Sequence, residues 1–185
     1  MPPYTRKAIM QSCSRLLEER PVDKITVKDI VDDCQINRNT FYYHFDDLPS
    51  LITEILKEDT EKIIRETRDA HSLWEYLENA IQYALDHRRA VLHIFRSSNR
   101  VVFEQYLFLI CQHAVERYVE GLCGEMPVKD DDKRIIIQAY KCECFGQVMN
   151  WLSGDMKEDI ARDMLRLCKL REGTTRTLFL RSMEM

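Results

Sequence analysis

Glycine is scarce in this chain, and its scarcity excludes several classes of enzyme. The 185 residues contain five scattered glycines, which cannot build the glycine-rich loops that hold nucleotide phosphates. The HExxH pattern of metalloproteases and the GxSxG pattern of hydrolases are also absent. We therefore expect neither enzymatic activity nor a cofactor.

Long hydrophobic runs are missing as well. The longest, residues 106–111, contains six apolar residues, whereas a membrane-spanning helix needs roughly 20. The first seven residues, MPPYTRK, are polar and lead into an amphipathic pattern rather than a signal sequence. The sequence thus predicts a soluble, cytoplasmic protein with no membrane partner.

The cysteines do not form a recognisable framework. Their number, seven, is odd, and no CxxC pair occurs, which argues against a set of disulfides. Cys142 and Cys144 stand two positions apart and would diverge on a helix, so we do not expect a metal site there. Among the five histidines, His113 is expected at the core or its rim rather than as a ligand.

Helical periodicity runs through most of the chain, and no alternating strand pattern occurs, so we predict an all-α fold. With 45% hydrophobic residues, the chain can bury one good core and a smaller one. The tail from Gly173 shows no clear pattern. The predicted helices cover residues 5–19, 48–67, 72–87, 89–97, 101–119, 135–152 and 160–170, besides two short ones between residues 26 and 45.

Those two short helices lie in the stretch ITVKDIVDDCQINRNTFYYHF, residues 25–45. Thr26 precedes Asp29 by three residues, which is the spacing of a capping box at a helix start. Asn37 is a good cap for the second helix, in which Phe41 and Phe45 share one buried face. This pattern predicts two helices joined by a tight turn.

The opposite face of the second helix carries hydrogen-bond donors and flat rings but no carboxylate, which suits phosphates and base edges. The first 48 residues hold seven Lys and Arg against eight Asp and Glu, so attraction to DNA must be local. We expect the first-turn amides of the helix that begins after Thr26 to bind phosphates as well. The candidate DNA contacts are Thr26, Lys28, Asn37, Arg38, Asn39, Thr40, Tyr42, Tyr43 and His44.

This stretch resembles the helix-turn-helix of the TetR family of bacterial transcription regulators, with NRNTFYYHF close to its recognition-helix motif. It is also similar to the branch that includes dihydroxyacetone kinase regulators. The resemblance implies a three-helix DNA-binding domain over residues 1–47 and a helical bundle over residues 48–185 for effector binding and dimerisation. It also implies a homodimer that binds double-stranded operator DNA and a small-molecule effector of unknown identity; repressor is the usual role, although activation stays open.

Two positions depart from the family pattern. Gln35 stands where the turn usually has glycine, so a residue with a Cβ must take the left-handed conformation or the turn must differ. Leu48 replaces a lysine that usually meets a phosphate, and it follows Asp46 and Asp47. These departures keep an alternative open, namely a co-regulator of the same fold that binds protein or a small molecule, with weak or no DNA binding.

The C-terminal candidates come from two helices without a wide polar face. Residues 101–119 hold 13 apolar positions and residues 135–152 hold 12, so both should be buried on more than one side. A helix pair at 135–152 and 160–170 could form a four-helix interface with its copy in a partner. Core packing is the commoner role for each bulky residue here. The candidate pocket residues are Trp74, Phe103, Tyr106, Phe145 and Met149, and the candidate interface residues are Phe145, Trp151, Met164 and Cys168.

Overall fold

The computed structural model describes residues 3–67, 70, 72–124 and 126–184, with the backbone alone at residues 3 and 4. Every regular element in these ranges is helical, so the all-α prediction is confirmed. A 3-10 turn at Val22–Lys24 lies between the first two α-helices. The α-helices are α1 (Pro3–Glu19), α2 (Val27–Asp33), α3 (Arg38–His44), α4 (Leu48–Glu66), α5 (Leu73–Asp86), α6 (Arg88–Phe95), α7 (Arg100–Cys123), α8 (Asp130–Ser153), α9 (Ile160–Leu170) and α10 (Thr174–Glu184).

The predicted caps fix the starts of α2 and α3. Thr26 Oγ1 accepts a hydrogen bond from the Asp29 amide at 3.2 Å, and the Thr26 amide donates to Asp29 Oδ2 at 2.8 Å. This reciprocal pair is the capping box that the sequence predicts. At the start of α3, Asn37 Oδ1 accepts from the Thr40 amide at 2.9 Å. Both short helices therefore begin where a local side chain accepts from an amide of the first turn.

The turn between α2 and α3 places Gln35 in the left-handed region, with φ at 54°. The following amide, of Ile36, donates to the Val31 carbonyl at 3.0 Å. Left-handed backbone at a residue with a Cβ carries a strain of about 1 kcal/mol. The turn thus keeps the geometry expected for glycine even though glycine is absent.

One compact unit, unit 1, contains the residues up to Glu61 together with Ala84–Tyr106. Its core includes Leu51 and Ile52 of α4, both fully buried, and Ile94 of α6, besides the apolar faces of α1–α3. Burial of each such side chain contributes about 1.5–3 kcal/mol. The first three helices are therefore stabilised by residues beyond position 47, and the functional boundary at residues 47 and 48 stays a prediction.

The second compact unit, unit 2, contains Lys62–Tyr83 and the residues from Leu107 onward. Val115 and Val119 of α7 are fully buried in its core, together with Phe179. On α8, Cys144 is buried whereas Cys142 is exposed, so the two thiols diverge as the sequence predicts. His113 of α7 is half-buried, and burial, followed by the nearby Arg117 charge, lowers its pKa.

The tail beyond Gly173, for which the sequence suggests no pattern, forms α10. Its buried face consists of Thr175, Phe179 and Ser182, which are 2%, 0% and 1% exposed. Two of these three residues carry hydroxyl groups, so hydrophobic periodicity does not reveal the face. Ser182 Oγ donates to Asp132 Oδ2 at 2.6 Å, which satisfies one of the buried hydroxyls.

Two further properties follow from the described part of the chain. Its helices are all too short or too polar to cross a membrane. Its His, Cys, Asp and Glu side chains form no group of three that could hold a metal ion.

Candidate nucleic-acid interface and ligand cavity

Helix α3 is anchored by aromatic side chains on one face. Phe41 is fully buried and Phe45 is 4% exposed, with their ring centroids 5.9 Å apart. The opposite face is open, since Tyr42 is 53% and Tyr43 is 69% exposed. Two large rings in solvent on a seven-residue helix are an unusual exposure for a monomeric surface.

The open face of α3 is polar and carries no acid. Arg38 and Asn39 are exposed at its N-terminal end, next to Tyr42 and Tyr43. An arginine can form a bidentate pair with guanine, and an asparagine can do so with adenine. The face therefore has the donors and rings needed for base edges in a major groove.

Two of the predicted contacts at the start of α3 are engaged locally. The Thr40 hydroxyl donates to Asn37 Oδ1 at 3.1 Å, in addition to the bond from the Thr40 amide. Asn37 and Thr40 thus serve the helix start, and a phosphate would have to compete with this pair for the hydroxyl proton.

At the start of α2, a predicted contact residue is also hydrogen-bonded within its own helix start. The Thr26 hydroxyl donates to Asp29 Oδ2 at 2.7 Å. Bonds from the Thr26 hydroxyl and amide, with the Arg20 guanidinium 3.3 Å from Asp29 Oδ1, hold the pKa of Asp29 below its usual value. Asp29 is consequently anionic beside the helix start, and Lys28, which is exposed, is the cation that α2 offers to a phosphate.

His44, at the end of α3, is half-buried. Its ring lies edge-on to Tyr43, with centroids 5.1 Å apart. Its Nε2 atom is buried and has no hydrogen-bond partner among the described residues. Contact with a phosphate would therefore require its other ring nitrogen.

Helix α4 begins without a cation. Asp47 Oδ1 accepts a hydrogen bond from the Ser50 amide at 2.8 Å, which makes Asp47 the cap of α4. Leu48 packs partly buried against the unit 1 core. A carboxylate on these amides opposes a phosphate at the same place, so this helix start is not a phosphate site.

The predicted pocket residues divide between the two units. Trp74 lines a cavity within unit 2, whereas Phe103 and Tyr106 pack against the unit 1 core. The Phe145 ring stacks edge-on with Phe108 at 5.5 Å. Met149 is half-buried on α8.

The unit 2 cavity has a volume of about 440 Å³, within the range of small-molecule pockets. Helices α5, α7, α8, α9 and α10 contribute to its wall. The sequence pattern does not indicate this set of polar residues, because they lie far apart in the sequence, on α7, α8 and α10 and in the turn after α9. These polar residues include Tyr118, Tyr140, Glu143, Arg171 and Thr175.

The predicted interface residues are mostly covered by their own chain. Trp151 is 3% exposed, and its indole nitrogen donates to the Glu158 carbonyl at 3.0 Å. Met164 is also 3% exposed, and Cys168 lines the unit 2 cavity. Trp151 and Met164 therefore have little surface left to bury against a partner.

A different face of α8 is exposed and carries no charge. Its residues recur every three or four positions along the helix. A Cβ at Gly146 would meet no atom within 4 Å. The uncharged α8 face consists of Ile135, Gln138, Ala139, Cys142, Gly146, Asn150 and Ser153, all exposed.

Comparison with known families gives two matches. Residues 9–55 match the family described as "Bacterial regulatory proteins, tetR family". Residues 72–172, more than half of the chain, match the "Transcriptional regulator C-terminal region" family of TetR type. Comparison with curated proteins returned no match.

Three solved structures are similar to this chain. The dihydroxyacetone kinase operon activator DhaS has a TM-score of 0.73 at 18% identity, over 90% of this chain and 95% of that one. Salmonella enterica GusR has a TM-score of 0.64 at 18% identity, over 96% of each chain. The fatty acid degradation regulator FadR from Bacillus halodurans has a TM-score of 0.57 at 17% identity, over 97% of this chain and 96% of that one. These likenesses show the shared fold, and with the two family matches they show that the chain belongs to the TetR family of transcriptional regulators.

Proposed function

We propose that this protein is a ligand-responsive transcription regulator that binds operator DNA as a homodimer through α3. The observation that carries the proposal is the acid-free face of α3, where Tyr42 and Tyr43 stand in solvent above a buried Phe41. A solvated helix face would ordinarily mix both signs of charge.

The roles within this surface follow from the contacts that each side chain already makes. Arg38, Asn39 and Tyr43 are exposed and face the base edges. Tyr42 and Lys28 bind phosphates, together with the Val27 and Lys28 amides of α2, which the capping box at Thr26 and Asp29 does not use. The hydroxyls of Thr26 and Thr40 are occupied in caps, so they support the helices and contact phosphates only after exchange.

The homodimer in this proposal uses the uncharged α8 face. An exposed, uncharged surface along the length of a helix is expected to be covered in the working protein. Because a two-fold axis pairs the same face with itself, small residues at its centre permit close approach of two α8 helices.

Selection of binding sites from random duplex DNA tests the function. The proposal predicts an enriched, two-fold symmetric sequence whose half-sites lie roughly 34–36 Å apart, one helical turn. A folded dimer that enriches no sequence would contradict it. That result would favour the co-regulator alternative, which the acidic start of α4 at Asp47 supports.

Similarity to an operon activator and to a regulator of fatty acid degradation leaves the sign of regulation open. Transcription from a reporter carrying the selected site, with and without the protein, determines whether this chain represses or activates.

A further inference from the structure

The polar residues of the unit 2 cavity converge at one corner. Tyr140 Oη lies 3.0 Å and Tyr118 Oη lies 3.4 Å from Thr175 Oγ1. Thr175 itself is 2% exposed. Three hydroxyls from three helices therefore meet at the wall of the cavity, where each can rotate its proton toward an acceptor.

An arginine stands at the same corner. Arg171 Nη2 lies 2.6 Å from Glu143 Oε2, and the Arg171 guanidinium lies 5.3 Å from the centre of the Tyr140 ring. Both charged side chains are about one-third exposed. The arginine is thus held in place by a ring and a carboxylate, and it presents a planar fork suited to carboxylates.

The rest of the cavity wall is largely apolar. Trp74 and Leu77 of α5, Leu122 of α7 and Met164 of α9 contribute to it. Cys168 also lines the cavity, and burial, followed by the neighbouring Cys144, raises the pKa of its thiol. A neutral thiol is a poor nucleophile, so the cysteines here act as apolar wall rather than as reactive groups.

The charges on the wall favour an anion. Lys169, Arg171 and Arg176 stand against Glu143 and Glu172, which leaves one positive charge in excess. The acid nearest to Arg171 is Glu143, so the carboxylate of Glu143 occupies the position that a ligand carboxylate would take.

We infer that the unit 2 cavity binds an amphipathic monocarboxylate, with its apolar body against Trp74 and its carboxylate on Arg171 in exchange for Glu143. The hydroxyls of Tyr118, Tyr140 and Thr175 are joined by two hydrogen bonds, which leaves one hydroxyl proton to donate to the remaining carboxylate lone pairs. Only the regulatory consequence of this binding rests on the proposed function.

Titrations with matched acids and alcohols test the ligand class. The probes are octanoate and 4-phenylbutyrate, each compared with 1-octanol and 4-phenylbutanol by calorimetry and by tryptophan fluorescence. The acids should bind at least tenfold more tightly than the alcohols, and Trp74→Phe should remove the fluorescence change while calorimetry still detects binding. Equal affinity for acids and alcohols, or no binding of any probe, would overturn the inference.

Two substitutions distinguish a ligand site from a structural ion pair. Arg171→Gln should weaken acid binding at least tenfold and leave alcohol binding unchanged. Glu143→Gln removes the competing carboxylate and should tighten acid binding severalfold, with Arg162→Gln on α9 as the control. A pair that only supports the fold would make both changes weaken binding alike, and that result would refute the assignment; Glu143→Gln decides the matter even if Arg171→Gln fails to fold.

These titrations contain no DNA, so the two proposals fail separately. Absence of acid binding would overturn the carboxylate site and leave operator binding standing. Acid binding without any change in operator affinity would confirm the site and contradict the ligand response in the proposed function.

Discussion

Thr26 and Asn37 serve the backbone before they can serve a ligand. Each side chain accepts from an amide three residues ahead, in the first turn of its helix. Their value is therefore structural in the free protein, since they set the start of the two helices that carry Lys28, Arg38 and Tyr43.

Replacement of Thr26 by alanine removes the cap of α2. We expect Thr26→Ala to lower the free energy of unfolding by about 1 kcal/mol, measured by urea denaturation. Thr26→Ser keeps the hydroxyl and is the control, with an expected change of a few tenths of a kcal/mol at most. A loss equal to that of alanine in the serine variant would contradict the capping account.

The same variant has a pH dependence that follows from Asp29. Its pKa is lowered from 3.8 in the folded protein, chiefly by the Thr26 hydroxyl and then by the Thr26 amide. The stabilisation is therefore fully present above pH 3.8 and is lost as pH falls through the lowered folded value. The free energies of unfolding of the parent and of Thr26→Ala should therefore become more alike as the pH is lowered. A difference in unfolding free energy that does not change with pH would refute this linkage.

Local contacts of this kind are predictable from sequence because the partners are three residues apart. The caps at Thr26 and Asn37 were predictable in this way, whereas a left-handed Gln35 was one of two possibilities that the family resemblance left open. The partners of Arg171 are different, since Glu143 lies 28 positions away on another helix and Tyr140 lies 31 away. Nothing in the linear sequence indicates which carboxylate or ring such an arginine meets.

Among the helices, α10 shows where periodicity fails as a signal. Its buried face combines the Phe179 ring with two hydroxyl residues, Thr175 and Ser182. Thr175 is hydrogen-bonded to tyrosines of α7 and α8, and Ser182 to Asp132 at the start of α8. A pattern method scores hydroxyls as polar, so it misses a face that is buried through hydrogen bonds. Helices α1, α4 and α9 were predictable because aliphatic side chains form their buried stripes.

Truncation of Phe179 tests how much α10 contributes to the stability of the unit 2 core. Phe179→Ala empties a fully buried site and should destabilise the protein by about 3–5 kcal/mol. The adjacent Leu180, 46% exposed, is the control, and Leu180→Ala should change stability by about 0.5 kcal/mol or less. Thermal or urea unfolding measures both, and equal effects would show that α10 does not pack as described.

The start of α4 allows a test of charge without loss of the cap. Asp47→Ser keeps a side-chain oxygen for the Ser50 amide and removes a negative charge near α3. We expect tighter DNA binding at low salt and a smaller gain at high salt, because salt screens exposed charges. Asp130→Ser, on α8, is the control and should leave DNA affinity unchanged. An equal gain in DNA affinity in both variants would show that the effect comes from the net charge of the protein and not from the position of Asp47.

For the whole molecule, the division into two units shows what composition could and could not predict. The hydrophobic content predicted one good core and a smaller one, and the described residues form two compact units. It could not assign Leu51, Ile52 and Ile94 to the unit 1 core, because contacts between residues far apart in sequence depend on tertiary packing. The predicted ligand pocket stays a prediction, and its residues divide between the two units. Bulky residues on helices fill cores more often than they line cavities.

The homodimer is tested on the uncharged α8 face. Gly146→Glu places a charge at its centre, where an added Cβ meets no atom within 4 Å. We expect sedimentation to show a monomer for this variant and a dimer for the parent at micromolar concentration. Gly121→Glu on α7 is the control, since that glycine is also exposed with open space around it; a dimer in both variants would move the interface elsewhere.

The central claim, that α3 reads operator DNA, is tested most directly by the base dependence of Arg38. Once a site is selected, each base pair of one half-site is substituted, and affinities are measured for the parent, for Arg38→Ala and for Arg134→Ala, whose side chain is 71% exposed in unit 2. We predict that Arg38→Ala flattens the preference at one guanine position by about 1–3 kcal/mol while Arg134→Ala changes nothing. Uniform weakening of Arg38→Ala on every sequence, or no effect at all, would contradict the assignment of α3 as the base-reading helix.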